Sequence, residues 1–282
     1  MLAECFFQVD SMPGVTATQQ HSDVVVVIGG LPIRLHSNDP AFIRLIEERY
    51  AGYVSSSNDA SFDFDIELAP PGTESGDEDL RVTWNLGRWL MERGDFRAEW
   101  NPSTAHGRIK QTSNPYSLDS VIRIVHTLLL ARNGGFLVHA SSAVRNGRAF
   151  LFSGVSGAGK TTMARLAPPD VSLLTDEISY VTRQDRGYFA VGTPFFGELA
   201  RVGENLRAPI DTLYLLAKGP DNKIEPIIGA NAVRGLLRNI LFFARDPEFV
   251  KLVFDAAFDF VSRVHVCRLT FVPDSRVWEL IV

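Results

Sequence analysis

Cysteine is nearly absent from this chain of 282 residues: Cys5 and Cys267 stand far apart and share no metal-ligand spacing. That excludes a disulfide framework and a thiolate metal site, and it fits a reducing compartment. Long apolar runs are missing too. The longest, Val24 to Ile28, ends at Gly29-Gly30 and falls far short of the roughly 20 residues a bilayer span needs. Glu4 and Asp10 spoil the N-terminus as a signal peptide, so a cytoplasmic protein with no membrane partner is expected. Basic charge is also short, with 28 Lys and Arg against 33 Asp and Glu for a net charge of −5. A nucleic-acid partner needs clustered cations to meet its phosphates, and none is expected here. No internal repeat marks a solenoid. What remains, 45% hydrophobic and 22% charged, is the make-up of a globular protein with one large core or two smaller ones.

The first hundred or so residues read as a small α+β unit. Val24 to Ile28 and Leu31 to Leu35, split by glycines, predict a hairpin. Asp39-Pro40 predicts a capped helix with proline at its first position, carried on by Phe42, Leu45, Ile46 and Tyr50. Phe62, Phe64, Ile66 and Leu68 alternate as a half-buried strand does, and Leu80, Val82 and Trp84 alternate again. Between them, Pro70 to Asp79 reads as a solvated acidic loop rather than a docking site.

A second unit begins near Ser117, a candidate N-cap, with Val121, Ile124, Val125, Leu128 and Leu129 forming a helical apolar stripe that Asn133-Gly134 ends. His126 lies on its flank and reads as an ordinary helical residue. Asn146-Gly147 between two apolar runs is a strong hairpin signal. Taking these two as the turn pairs Arg145 with Arg148 and Val144 with Ala149. The same register sets His139 opposite Gly154. His139 is then either a strand-end residue satisfied by backbone groups or part of a site.

The site is suggested by "FLFSGVSGAGKTTMARL", Phe150 to Leu166. Gly154, Val155, Ser156, Gly157, Ala158, Gly159, Lys160 and Thr161 match G-x-x-x-x-G-K-[ST] in full, with Thr162 next. An apolar strand precedes the match, and Met163, Leu166 and Ala167 continue it as a helix until Pro168-Pro169. Glycines let successive backbone N–H groups point at one phosphate, the lysine adds a mobile point charge, and the threonine hydroxyl suits Mg²⁺. The plain alternative is a glycine-rich turn with no ligand. An acid to hold the metal is supplied by "LLTDEISYV", where Asp176 and Glu177 follow a short strand, as ligands do at the ends of parallel α/β strands. One carboxylate of such a pair can hold metal while the other takes a proton from an attacking hydroxyl. Further on, Glu198 with Arg201 is a candidate third acid or an exposed turn residue. Arg234 and Arg238, at i and i+4, read as a solvated face before an anion site. Thr212 to Ala217, Ala230 to Phe243, Asp246-Pro247 to about Val261, Val264 to Phe271 and Asp274-Ser275 predict strand, helix, helix, strand and a last short helix.

The run from His139 through "SGVSGAGKTT" to "TDE", with "GTPFFGEL" and "VCRLTFVPDSRVWELI", resembles the HPr kinase/phosphorylase-like group, whose nucleotide core is related to phosphoenolpyruvate carboxykinase. The resemblance spans Phe136 to Val282. It implies a histidine before the loop at His139, nucleotide contacts by Lys160 and Thr161, Asp176 as the proton acceptor, and Glu177 as the second acid. Bacterial HPr kinases have Asp at that second position. They also carry an Arg-Gly-rich signature loop, for which residues Gly192 to Glu198 offer no counterpart, so neither dephosphorylation nor HPr itself is implied.

The expectation is an α/β protein with a P-loop kinase core of this type, residues 116–282, and a smaller α+β domain, residues 1–115, as specificity module. Its expected activity is ATP-dependent transfer of the γ-phosphoryl group to a hydroxyl, first a Ser of a protein or peptide and second a small metabolite. Asp176, His139 and Lys160 are the catalytic candidates, residues 154–162 bind ATP, and Thr161, Glu177 and Glu198 hold Mg²⁺. A nucleotide switch or sensor without an acceptor shares the loop and stays open, as does assembly into a homo-oligomer.

Overall fold

Gly29 and Gly30 both take positive φ, of 65° and 80°, and this lets β1 (Ser22–Ile28) fold back antiparallel on β2 (Leu31–Ser37). The computed structural model describes residues 22–75 and 79–282. Glu4, Cys5 and Asp10, and residues 76–78 of the acidic loop, lie outside the described residues. The Asp39 carboxylate accepts from the Ala41 amide at 2.8 Å and starts α1 (Pro40–Arg49) as expected. In β3 (Phe62–Leu68), Phe62, Phe64 and Ile66 are buried on alternate positions, and the strand runs parallel to β2. Then come β4 (Arg81–Asn85), β5 (Arg88–Arg93), β6 (Phe96–Asn101) and β7 (His106–Gln111), giving a seven-stranded sheet ordered β1-β2-β3-β7-β6-β5-β4. The last three strands were not foreseen, because their outward positions are charged and leave only two or three buried residues each.

α2 (Pro115–Arg132) bridges to the second sheet. Its N-cap is Asn114, whose side chain accepts from the Tyr116 amide at 3.0 Å. Ser117 is buried inside the first turn instead, donating its hydroxyl to Asp95 at 2.7 Å. His126 is corrected too. It sits fully buried in the core, its ring edge-to-face with Tyr180 at 5.2 Å, and among the described residues neither ring nitrogen has a hydrogen-bond partner.

In the second sheet, β8 (Phe136–Arg145) and β9 (Arg148–Ser153) pair antiparallel from Arg145↔Arg148 to Ala140↔Ser153, the register the Asn-Gly turn predicts. After the glycine loop come α3 (Lys160–Arg165), β10 (Ser172–Thr175), β11 (Ile178–Gln184) and β12 (Gly187–Val191). The chain ends with β13 (Arg207–Lys218), β14 (Lys223–Pro226), α4 (Gly229–Leu237), β15 (Ile240–Leu241), α5 (Pro247–Arg263), β16 (His265–Phe271) and a closing 3-10 turn, Ser275–Leu280. Strands β9, β13 and β16 run parallel, while β10 and β11 are both antiparallel to β8. The acid pair therefore lies in a break between two segments on one side of β8, not at the end of a parallel strand. The pairings close a circuit, β8-β11-β12-β13-β9-β8. The helix expected over Ala230 to Phe243 stops at Leu237, because the Asn239 side chain turns back to the Gly235 carbonyl and β15 then pairs with β8.

The fold is mixed α/β with two sheets. One cluster of buried side chains runs from Val26 and Phe64 through Val121 and Leu128 of α2 to Leu137, Ile178, Tyr180 and Phe195, so the two sheets share a core.

His126 gives that core a pH dependence. Burial lowers its pKa from the ordinary 6.5 to about 3. Above pH 6.5 the ring is neutral folded or unfolded; below it, only the unfolded chain takes the proton, and stability falls as pH drops. The expected loss between pH 7.5 and 5 is about 2 kcal/mol. Denaturant titrations at the two pH values should show it, and His126→Leu should flatten the dependence.

Candidate functional site

The glycine loop leaves the end of β9, whose parallel pairing with β13 fixes its start. Gly159 has φ +109°, and a Cβ there would lie 2.5 Å from the Phe271 ring. A Cβ on Gly154 would come within 2.7 Å of that of Ala158, so both positions need glycine. Lys160 begins α3 and is buried, its ammonium donating to the carbonyls of Gly154 at 2.9 Å and Val155 at 3.3 Å. Burial lowers its pKa, and Glu177 and Glu198 pull it back up. The hydroxyl of Ser141 on β8 donates to the Lys160 carbonyl at 3.0 Å and ties the helix start to the central strand. Thr161 and Thr162 follow, half-buried.

His139 lies on β8 one step beyond the Ala140↔Ser153 pair, beside the loop. Its carbonyl accepts from the Ser153 hydroxyl at 3.0 Å, and its amide donates to Asn239 at 2.8 Å. Those are backbone bonds, and its imidazole lines a cavity. Burial and the charge of Lys160 hold the ring's pKa low, so it is neutral at pH 7.

The acid pair divides in two. Asp176 is buried, its carboxylate accepting from the Gly197 amide at 2.9 Å and the Leu199 amide at 3.0 Å. It anchors the segment Gly192 to Leu199. Glu177 faces the cavity instead. Burial raises its pKa, Arg123 and Lys160 oppose the rise, and Asp176 adds to it. Its carboxylate stands 3.9 Å from the Arg123 guanidinium, too far for a hydrogen bond. Glu198 is set apart: its side chain is 78% exposed and 4.0 Å from Arg165. Among the described residues no three His, Cys, Asp or Glu cluster to hold a metal ion.

Sequence reasoning missed the roles of four residues here: Arg49, Tyr50, Asp119 and Arg123. Arg49, at the end of α1, is buried and pairs with Asp119 of α2 at 2.5 Å. It also donates to the Pro194 carbonyl at 2.8 Å and lies 4.2 Å over the Phe196 ring. The Tyr50 hydroxyl donates to the other Asp119 oxygen at 2.6 Å. Arg123, one turn after Asp119, lies 4.7 Å over the Phe195 ring. The available signal was Asp119 and Arg123 at i and i+4 in an otherwise apolar helical stripe, an expensive place for charge unless it is used.

The cavity measures about 260 Å³ and lies between the sheets. Arg123, His139 and Glu177 form its polar wall, and Leu80 and Arg93 of the first sheet's side close it. Arg234 and Arg238 line a separate cavity and do not reach this one.

Fold and site together define a mixed α/β protein whose glycine loop, lysine, histidine and acid pair meet at the junction of two sheets. Residues 108–281 match the family described as "SynChlorMet cassette protein ScmC", and the chain belongs to that ScmC family. No curated protein sequence matches it. Among solved structures it is similar to the Hpr(Ser) kinase/phosphatase from Coxiella burnetii, with 15% identity and a TM-score of 0.23 over 43% of this chain and 87% of that one. That likeness is partial and distant. Among the described residues no helix is long and apolar enough to cross a membrane.

The Arg49–Asp119 pair can be tested directly. Arg49→Met strands a buried carboxylate and should cost about 3 to 5 kcal/mol in chemical denaturation. Arg49→Met with Asp119→Leu should recover part of that loss, whereas an unchanged single variant would remove the pair from the framework.

Proposed function

We propose that this chain is an ATP-dependent phosphotransferase that moves the γ-phosphoryl group onto a hydroxyl acceptor. One observation carries the reading: Lys160, bonded to the carbonyls of the glycine loop, acts electrostatically on both His139 and Glu177, and those two line the cavity beside it. A nucleotide switch needs the loop but has no use for an acceptor cavity beside it.

The residues present fit triphosphate. Lys160 is a desolvated ammonium held by neutral carbonyls alone, and such a cation gains by meeting phosphate oxygens. Gly154 and Gly159 let the loop fold tightly against Ala158 and Phe271, and Gly157, at φ +76°, has open space where a Cβ would stand. Thr161 would offer its hydroxyl to Mg²⁺, which when bound would neutralise developing charge on the phosphates. In the transfer, a bond forms from the acceptor oxygen to the γ-phosphorus while the bond from that phosphorus to the β,γ-bridging oxygen breaks, its electron pair leaving with ADP. The hydroxyl proton passes to a carboxylate.

We assign that proton to Glu177. Both oxygens of Asp176 already accept backbone amides, whereas Glu177 faces the cavity with a raised pKa, which suits a base near neutral pH. The family resemblance instead gives the role to the first acid of the pair. Asp176 holds the Gly192–Leu199 segment, and neutral His139 donates to a phosphoryl or acceptor oxygen.

Lys160→Ala should lower ATP turnover at least tenfold, or about 1.4 kcal/mol, in a folded variant. Glu177→Gln should lower the transfer rate about 10²- to 10⁴-fold with ATP affinity nearly kept. Because the base must be ionised, the rate in the unmodified protein should rise with pH through the Glu177 pKa, which burial raises, and Glu177→Gln should lose that limb. If Asp176→Asn removes the limb and Glu177→Gln keeps it, the assignment reverts to Asp176. ATP hydrolysis with no acceptor ever labelled would favour the switch.

A further inference from the structure

Arg123 is the most anomalous charge in the molecule. Its side chain is only 22% exposed, yet it makes no hydrogen bond among the described residues. Its Nε is wholly buried without a partner, and its one ion pair, to Glu177, is stretched to 3.9 Å. Buried polar groups are nearly always satisfied, and a guanidinium offers five donors in a rigid fork. Here the guanidinium carbon lies 4.7 Å over the Phe195 ring and the side chain lines the cavity.

We propose that this cavity receives the acceptor, and that the acceptor is a compact hydroxy acid whose carboxylate pairs with Arg123. Whether it is also phosphorylated rests on the phosphotransferase reading above. A guanidinium fork matches the two coplanar oxygens of a carboxylate. The charge also selects a monoanion. Arg93 is engaged by both oxygens of Asp95, at 2.5 and 2.8 Å, which leaves Arg123 to face a ligand beside the negative Glu177. A phosphate dianion there would meet strong repulsion.

Size points the same way. About 260 Å³ is the volume of roughly nine waters, below the usual range of ligand pockets, and admits a compact molecule rather than a length of peptide. Leu80, Ile124, Ile178, Leu241 and Phe243 supply apolar walls for a short hydrocarbon body. With the carboxylate on Arg123, a hydroxyl elsewhere on the molecule faces Glu177 and His139. Transfer then forms the bond from that oxygen to the γ-phosphorus, breaks the β,γ linkage in favour of ADP, and leaves the proton on Glu177.

The test is calorimetric titration of the full chain, without nucleotide, against 3-hydroxybutyrate, 3-hydroxyhexanoate and L-threonine, each paired with its amide, and against butyrate. The acids should bind at least tenfold more tightly than their amides, and butyrate should bind like 3-hydroxybutyrate. Arg123→Met should weaken acid binding at least tenfold, and Arg123→Lys should restore part of it. Because Arg123 packs on Phe195, Leu241→Phe supplies an independent variant that narrows the cavity and should also weaken binding. No binding by any acid, equal binding of acid and amide, or full binding by Arg123→Met would overturn the proposal. Labelled ATP then separates the two readings. Acids that bind but never accept label support the carboxylate site and overturn phosphoryl transfer. Label passing to an internal serine of a peptide, independently of Arg123, keeps transfer and overturns this site.

Discussion

The buried pair of Arg49 and Asp119 is the contact through which the two sheets and the site are held in one arrangement. Arg49 ends a helix that packs on the first sheet; Asp119 belongs to the helix that packs on both. An isolated charge in either position would cost several kcal/mol, so neither segment can shift without exposing the other's charge to an apolar core. The same guanidinium reaches on to Pro194 and Phe196, and the segment it grips is the one whose Gly197 and Leu199 amides hold Asp176. Helix α1, packed on the N-terminal sheet, is thus connected to Asp176 through Arg49, the Pro194 carbonyl and the Gly197 and Leu199 amides of one segment. Tyr53 adds a second tie, its hydroxyl donating to the Gly203 carbonyl at 3.0 Å. A Cβ on Gly203 would fall 1.7 Å from the Leu174 carbonyl, so this part of the loop is pressed against the strand that leads into Asp176.

Those constraints explain what could be read in the sequence. Local chemistry was legible wherever one or two residues decide a conformation. Asp39-Pro40 starts a helix, Asn146-Gly147 fixes a hairpin register, and that register alone set His139 beside the loop. The strands β5, β6 and β7 were not legible, since their outward faces are charged and their short alternation resembles a solvated segment. Helix ends failed where a tertiary contact overrides propensity: Ser117 is a good cap, but its hydroxyl is taken by Asp95 and the helix starts three residues earlier.

The site was legible as a set of residue types and illegible as a division of labour. Asp176 and Glu177 are neighbours of nearly equal chemistry, and nothing in their spelling separates them. What separates them is the break between β10 and β11 on the flank of β8, which sends one side chain under the 192–199 segment and leaves the other at the cavity. Arg123 was hidden for a related reason. In the sequence it is one polar residue in an apolar helical stripe, and only the placement of Phe195 beneath it and Glu177 beyond hydrogen-bond reach shows that, among the described residues, it makes no hydrogen bond.

Adjacent acids of this kind let one position serve structure and the next serve chemistry. A carboxylate that accepts two backbone amides, as Asp176 does, is fixed in place. The charge of such a group, held beside its neighbour, makes ionising the neighbour harder and so raises its affinity for a proton. Asp176 therefore has two effects: it anchors the loop, and it adds to a rise in the Glu177 pKa that burial causes in the first place, with Arg123 and Lys160 opposing that rise. The longer side chain at the second position carries its carboxylate away from the backbone that fixes Asp176, so that it lines the cavity with Arg123 and His139.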